Sequence, residues 1–136
     1  MKYLLDVNVL LAWGWSDHIE HRRAALWIAA IKRKRGAKLL TSAIPELGFV
    51  RVSVQRSAGR LSVEDAASTL ADMLKTLGGH HSFLPDDLCS SAGFPAWCGS
   101  ASQTTDAHLL TLAQNHGVKL ATLDTGIPGA YLLPLS

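Results

Sequence analysis

The chain reads as an α/β protein in which a mainly parallel sheet is covered by helices on both faces. Short apolar runs of strand length alternate with longer segments of helical periodicity, the pattern of repeated strand–helix units. Glycines at positions 36, 78, 79 and 117 stand where those helical segments should stop. Hydrophobic residues make up 48% and charged residues 18%, which excludes a disordered or fibrous chain and leaves a core large enough to need no metal or disulfide staples.

Tyr3 to Leu5 forms a first strand ended by Asp6, and Val7 to Trp13 turns into a helix. From His18 to Lys34, apolar Ile19, Leu26, Ile28 and Ile31 sit among basic residues. That pattern predicts a long amphipathic helix, with Asp17 as N-cap and Gly36 closing it. Lys38 to Thr41 is a second strand. Ser42 then caps a helix carrying Glu46, with Pro45 in an early turn where its missing N–H costs little. Ser62 to Leu77 opens on a capped-helix signature, Ser-Val-Glu-Asp, and repeats apolar residues at helical spacing. His81 to Leu84 is a third strand stopped by Pro85. Residues 87–102, rich in Ser, Gly and Pro, are irregular. Gln103 to His116 is a helix, Val118 to Leu123 a strand ending at Asp124, and Tyr131 to Leu133 a last edge strand.

With 136 residues and neither repeats nor a linker, the expectation is a single domain spanning 1–136. The N-terminal apolar run is broken by Asp6 and Asn8, which a secretory leader would not tolerate. No apolar stretch approaches the roughly 20 residues of a membrane helix. Cys89 and Cys98 are too few for a zinc set and read as reduced thiols. A cytoplasmic protein with no membrane partner is expected.

The net charge of +2 hides a segregation. Between Arg22 and Arg60 there are ten basic residues and one acid, Glu46, whereas from Leu61 to Asp106 there are six acids and one base, Lys75. A basic half attracts a polyanion such as nucleic acid. Lys32, Arg33, Lys34 and Arg35 could equally complement a helix dipole. Arg51 and Arg56, just downstream of Glu46, are the more suggestive pair.

In a parallel sheet, the strand C-termini and the following helix N-termini share one edge, where ligand sites form. Asp6 and Asp124 close strands there, and Glu46 and Asp106 lie in first helical turns. Two unit charges about 5 Å apart repel by roughly 3 kcal/mol at an effective dielectric near 20. Converging carboxylates therefore share protons or bind a cation. With oxygen ligands only, Mg²⁺ or Mn²⁺ is selected over zinc. Such an ion serves the in-line displacement of a phosphodiester. Each acid also has an ordinary explanation, as a helix-dipole partner or a turn former. Asp6 is the exception, because it sits within an apolar run where an unpaired charge is costly.

The segments LLDVNVLLA, PELGFVRV and TDAHLLTLAQNHGVKLATLD together resemble the PIN-domain ribonucleases, and more narrowly the VapC toxins of prokaryotic toxin–antitoxin pairs. The resemblance runs through almost the whole chain, with order but no motif matched from Leu61 to Ser102. It implies a three-layer α/β/α sandwich and metal-dependent endonuclease activity on cellular RNA, often transfer RNA. It also implies a homodimer and inhibition by a cognate antitoxin. The family's acids fall on Asp6, Glu46, Asp106 and Asp124. Asn8 stands where many members carry Thr or Ser, and can still bond a ligand or water.

On this reading Asp6, Asp106 and Asp124 hold the metal, and Glu46 is a further ligand or the group that orients or deprotonates the attacking water. Arg51 could reach a substrate phosphate or form a structural ion pair. Thr105 and Thr122 could hydrogen-bond the site. The histidines, in pairs at 18/21, 80/81 and 108/116, make no complete metal set, and Trp13, Trp15, Trp27 and Trp97 could stack RNA bases but read first as core or dimer packing. A haloacid-dehalogenase-like phosphatase would use Asp6 as nucleophile and need a late catalytic lysine, for which only Lys119 offers itself. A receiver-like module would need an aspartate ending a central strand near residue 55. A non-catalytic RNA-binding or assembly domain of the same fold is the third alternative.

Overall fold

The computed structural model describes residues 1–91 and 93–136. Five strands form one sheet: β1 (Lys2–Leu5), β2 (Lys38–Thr41), β3 (His81–Phe83), β4 (Lys119–Thr122) and β5 (Tyr131–Leu132). Their order is β3-β2-β1-β4-β5, and every pairing is parallel. The helices are α1 (Val7–Gly14), α2 (His21–Lys32), α3 (Ala43–Arg56), α4 (Val63–Lys75) and α5 (Thr104–Asn115), with short 3₁₀ turns at Gly78–His80 and Ala101–Gln103.

Alternation along β1 divides the core. Tyr3 and Leu5 face a cluster built from α1, α2, Phe49 of α3 and Leu70 of α4. Leu4 faces the other way, into a cluster with Leu109, Leu110, Leu112 and Ala113 of α5. Because successive strand side chains take opposite faces, one apolar tripeptide nails both helical layers to the sheet, and the α/β/α sandwich follows. On the first face Trp27 meets Tyr3 edge-on, with ring centroids 5.1 Å apart. No helix of the described residues is long and apolar enough to cross a membrane.

Three local expectations need correction. The helix predicted from His18 begins only at His21, and Asp17 does not cap it; the N-cap residue is Glu20, which makes no side-chain cap bond. Ile19, assigned to the apolar face, is 94% exposed. The buried stripe is Ala24, Trp27, Ile28 and Ile31, a cleaner i, i+3, i+4, i+7 series that leaves Leu26 outside. Ser42 is the residue before α3 but does not cap it. Its hydroxyl donates instead to the carbonyl of Leu84 at 2.6 Å. Ser62, by contrast, accepts the Asp65 N–H at 3.0 Å as its signature demands, a bond of the kind worth about 1 kcal/mol.

One glycine sets the position of α3. A Cβ on Gly48 would lie 2.8 Å from Val7 Cγ2. Only a hydrogen there lets α3 approach α1 this closely, which brings the first turn of α3, with Glu46, to the edge where β1 ends.

Candidate active site

The most constrained acid is Asp6, 2% exposed, between the end of β1 and α1. Its Oδ1 accepts the Val7 N–H at 2.7 Å and its Oδ2 accepts the Thr122 hydroxyl at 2.8 Å. Thr122, the last residue of β4 and fully buried, uses its whole hydrogen-bonding capacity: it donates to Asp6 and accepts from the Asn8 amide at 3.1 Å and the Asp124 N–H at 3.0 Å. Asn8 closes the circuit, its Oδ1 accepting the Leu123 N–H at 3.2 Å. Two strand ends and one helix start are thus held by three polar side chains, and Asn8 acts here as a brace on the protein itself.

Asp106, in the first turn of α5, and the exposed Asp124 complete a carboxylate group. Burial, offset in part by the bonds from Thr122 and Val7, raises the pKa of Asp6, and Asp124 raises it further. Asp106 is pushed up to about 6, first by burial and then by the charges of Asp6 and Asp124. The three aspartates therefore sense one another. Among the described residues no three Asp, Glu, His or Cys side chains already surround one ion position. The donor set is nevertheless all hard oxygen, of the type that suits Mg²⁺ or Mn²⁺.

Glu46 reaches the same edge but is turned to a different partner. Its Oε2 accepts the Thr41 hydroxyl at 2.6 Å, and Thr41 Oγ1 lies 2.8 Å from His81 Nε2. Burial lowers the pKa of His81, against a smaller opposing effect of Glu46. The fold thus gathers three aspartates into one electrostatic group and ties the fourth acid to the β2–β3 side of the sheet.

The basic stretch does not form one surface. Exposed Lys32 ends α2 and exposed Arg33 to Arg35 follow in the turn that leads into β2, at the edge where the strands begin and opposite the acids. Arg56 is engaged, 3.0 Å from Asp17 and stacked 4.6 Å over the Trp15 ring. Exposed Arg51 does stand near the acids. With Val7, Gly48 and Thr105 it lines a cleft of about 130 Å³ between α3 and the start of α5. Lys119 begins β4, far along the strand from Asp6, and carries its ammonium toward the Tyr131 ring. That is no place for a phosphatase lysine. Gln55 is helical, so the receiver arrangement is absent as well.

Sequence reading passed over three features. His108 Nε2 lies 2.6 Å from Asp86 Oδ2, pinning the segment after β3 to α5, and His116 bonds Asp87 at 3.0 Å. The Glu46–Thr41–His81 chain was also missed. Its one sequence signal is that alternate residues of a strand share a face, so Leu39 and Thr41 flank the face that His81 joins through the Leu39 register.

This fold and its acidic edge define a PIN domain, and the PIN-domain family model matches residues 3–131. Mycobacterium tuberculosis Ribonuclease VapC39 is 37% identical over 132 residues, covering 93% of this chain and 91% of that protein. Ribonuclease VapC38 of the same organism is 40% identical over 126 residues, with 91% and 86% covered. The crystal structure of M. tuberculosis VapC20, described as a sarcin–ricin loop cleaving toxin, superposes with a TM-score of 0.64 at 12% identity, covering 97% of this chain and 99% of that one. At that identity the likeness is one of fold. The chain belongs to the PIN-domain family and, within it, to the VapC group.

Proposed function

We propose that this chain is a metal-dependent endoribonuclease, the toxin of a VapBC-type pair, which cleaves cellular RNA and is inhibited by a cognate antitoxin. The observation that carries the reading is the coupling of Asp6, Asp106 and Asp124, with Asp106 pushed up to about 6. Carboxylates that repel in this way are relieved by a shared proton or by a divalent cation, and ribonuclease is the name carried by curated relatives of 37 to 40% identity.

Asp6, Asp106 and Asp124 would hold Mg²⁺ or Mn²⁺, with Glu46 at its border. A bound ion of that kind neutralises phosphate charge and polarises water. Thr122 and the Val7 N–H keep the Asp6 carboxylate in place. Glu46, held by Thr41 at one oxygen, keeps the other for the attacking water and can accept its proton. Arg51 supplies a cation for the phosphate backbone, and Asn8 keeps β4 and α1 in register beneath it. Transfer RNA is the first substrate to try, a homodimer the expected assembly, the cytoplasm the expected compartment, and residues 1–136 the single catalytic domain.

The test is incubation of purified protein with a transfer RNA pool in Mg²⁺ or Mn²⁺, with and without excess chelator, beside Asp6→Asn. Discrete cuts that vanish with chelator and with the substitution support the reading. RNA binding that survives both, without cleavage of this pool or of total cellular RNA in either metal, points to the non-catalytic domain instead.

A further inference from the structure

We propose that His81 is a positioning residue for Glu46, acting through Thr41; the inference rests on the nuclease reading above. His81 Nε2, Thr41 Oγ1 and Glu46 Oε2 form an unbroken chain, with steps of 2.8 and 2.6 Å. A hydroxyl has one proton to give, and an ionised carboxylate has none. Thr41 therefore donates to Glu46 and receives the Nε2–H of His81, which fixes the imidazole tautomer. Thr41 is fully buried, so this hydroxyl has no competing water. A lone hydroxyl in that place could turn toward another acceptor. The His81 donor occupies its lone pair and directs its proton at Glu46.

The anchoring extends through the backbone. The Leu84 N–H donates to the Thr41 carbonyl at 2.7 Å, and the Ser42 hydroxyl returns a bond to the Leu84 carbonyl at 2.6 Å. The end of β3 is thereby fastened to the β2–α3 junction that carries Glu46. An edge strand of three residues would otherwise be a weak element of the sheet. Here it brings a side chain to within one hydroxyl of the acid assigned to the attacking water, and a misplaced catalytic group loses rate steeply.

The experiment has two arms. First, ¹⁵N NMR of the imidazoles in the intact protein reports where the His81 proton lies. Protonated Nε2 with bare Nδ1 is expected, and a bare Nε2 would overturn the proposal, because Thr41 would then donate to His81 and not to Glu46. Second, single-turnover cleavage of the transfer RNA pool in Mn²⁺ is compared for wild type, His81→Leu, His81→Gln, Thr41→Val and the Leu/Val double variant. The maximal rate should fall about 10- to 100-fold in His81→Leu and Thr41→Val with the half-saturating protein concentration unchanged. His81→Gln, which keeps a donor near Nε2, should recover most of the rate, and the double variant should be no worse than either single one. Equal rates in wild type and His81→Leu, or losses in His81→Gln as large as in His81→Leu, would sink the role while leaving the nuclease reading intact. A wild type that cleaves neither this pool nor total cellular RNA, in Mg²⁺ or Mn²⁺, removes both.

Discussion

Thr122 gives its only hydroxyl proton to Asp6 across 2.8 Å while accepting the backbone N–H of Asp124, so one buried side chain serves two acids from distant parts of the chain. Thr122→Val keeps the volume and removes all three bonds. The buried Asp6 oxygen and the Asn8 amide lose their partner, a defect costing about 1 to 3 kcal/mol for each buried group left unsatisfied. Urea denaturation should show that loss, with Thr122→Ser near wild type. An unchanged midpoint for Thr122→Val would mean that the circuit does not hold the strand ends.

Asp106 makes folding depend on pH in an identifiable direction. Its folded pKa, about 6, lies above the ordinary 3.8. Between those values the folded state holds more protons than the unfolded one, so stability falls as pH rises through the window. Without divalent ions, Asp106→Asn should therefore melt higher than wild type at pH 7.5 and no higher at pH 4. Mn²⁺ should stabilise wild type at pH 7.5, with an affinity that rises as pH increases through about 6, since the ion displaces a proton. Thermal melts at the two pH values, with and without chelator, check both signs.

The close contact of α1 and α3 gives a paired prediction. Gly48→Ala puts a methyl 2.8 Å from Val7 Cγ2 and should destabilise by about 1 to 3 kcal/mol as an overpacked site. Adding Val7→Ala should recover part of that loss. A strictly additive double variant, read from urea midpoints, would contradict the contact.

Two arginines on α3 should behave differently. Arg51→Ala should weaken RNA binding and reduce the slope of log affinity against log salt by about 1, with melting temperature unchanged. Arg56→Ala should lower stability slightly, by about 0.5 to 1 kcal/mol through the lost Trp15 stacking, and leave the salt slope alone. Fluorescence anisotropy on RNA over a salt series distinguishes them.

The fold was legible because β1, β2 and β4 are short, mostly apolar runs closed by a polar residue, β3 is stopped by Pro85, and each helix except α2 starts within a residue or two of its signature. What periodicity could not tell was which apolar residues of α2 face inward. Ile19 belongs to the turn before it, and Trp27, unweighted in the pattern, carries the contact with the sheet. The acids were legible as strand ends and helix starts, since topology alone puts those at one edge. How Glu46 is held was not, because its partners Thr41 and His81 come from two other elements, and a threonine in a strand carries no mark of its hydrogen bonds. Charge misled in a third way. A run of basic residues in sequence was divided by the turn into β2, which placed four of them at the far edge.

The most direct test of the central claim, that Asp6, Asp106 and Asp124 form one seat for a divalent ion, is calorimetric titration of Mn²⁺ into the purified protein at pH 7.5. Saturable binding to wild type that is lost in Asp6→Asn and weakened at least about tenfold in Asp106→Asn, the scale on which a ligand or its support matters, is the predicted result. Binding of equal strength and stoichiometry in wild type and Asp6→Asn would contradict it.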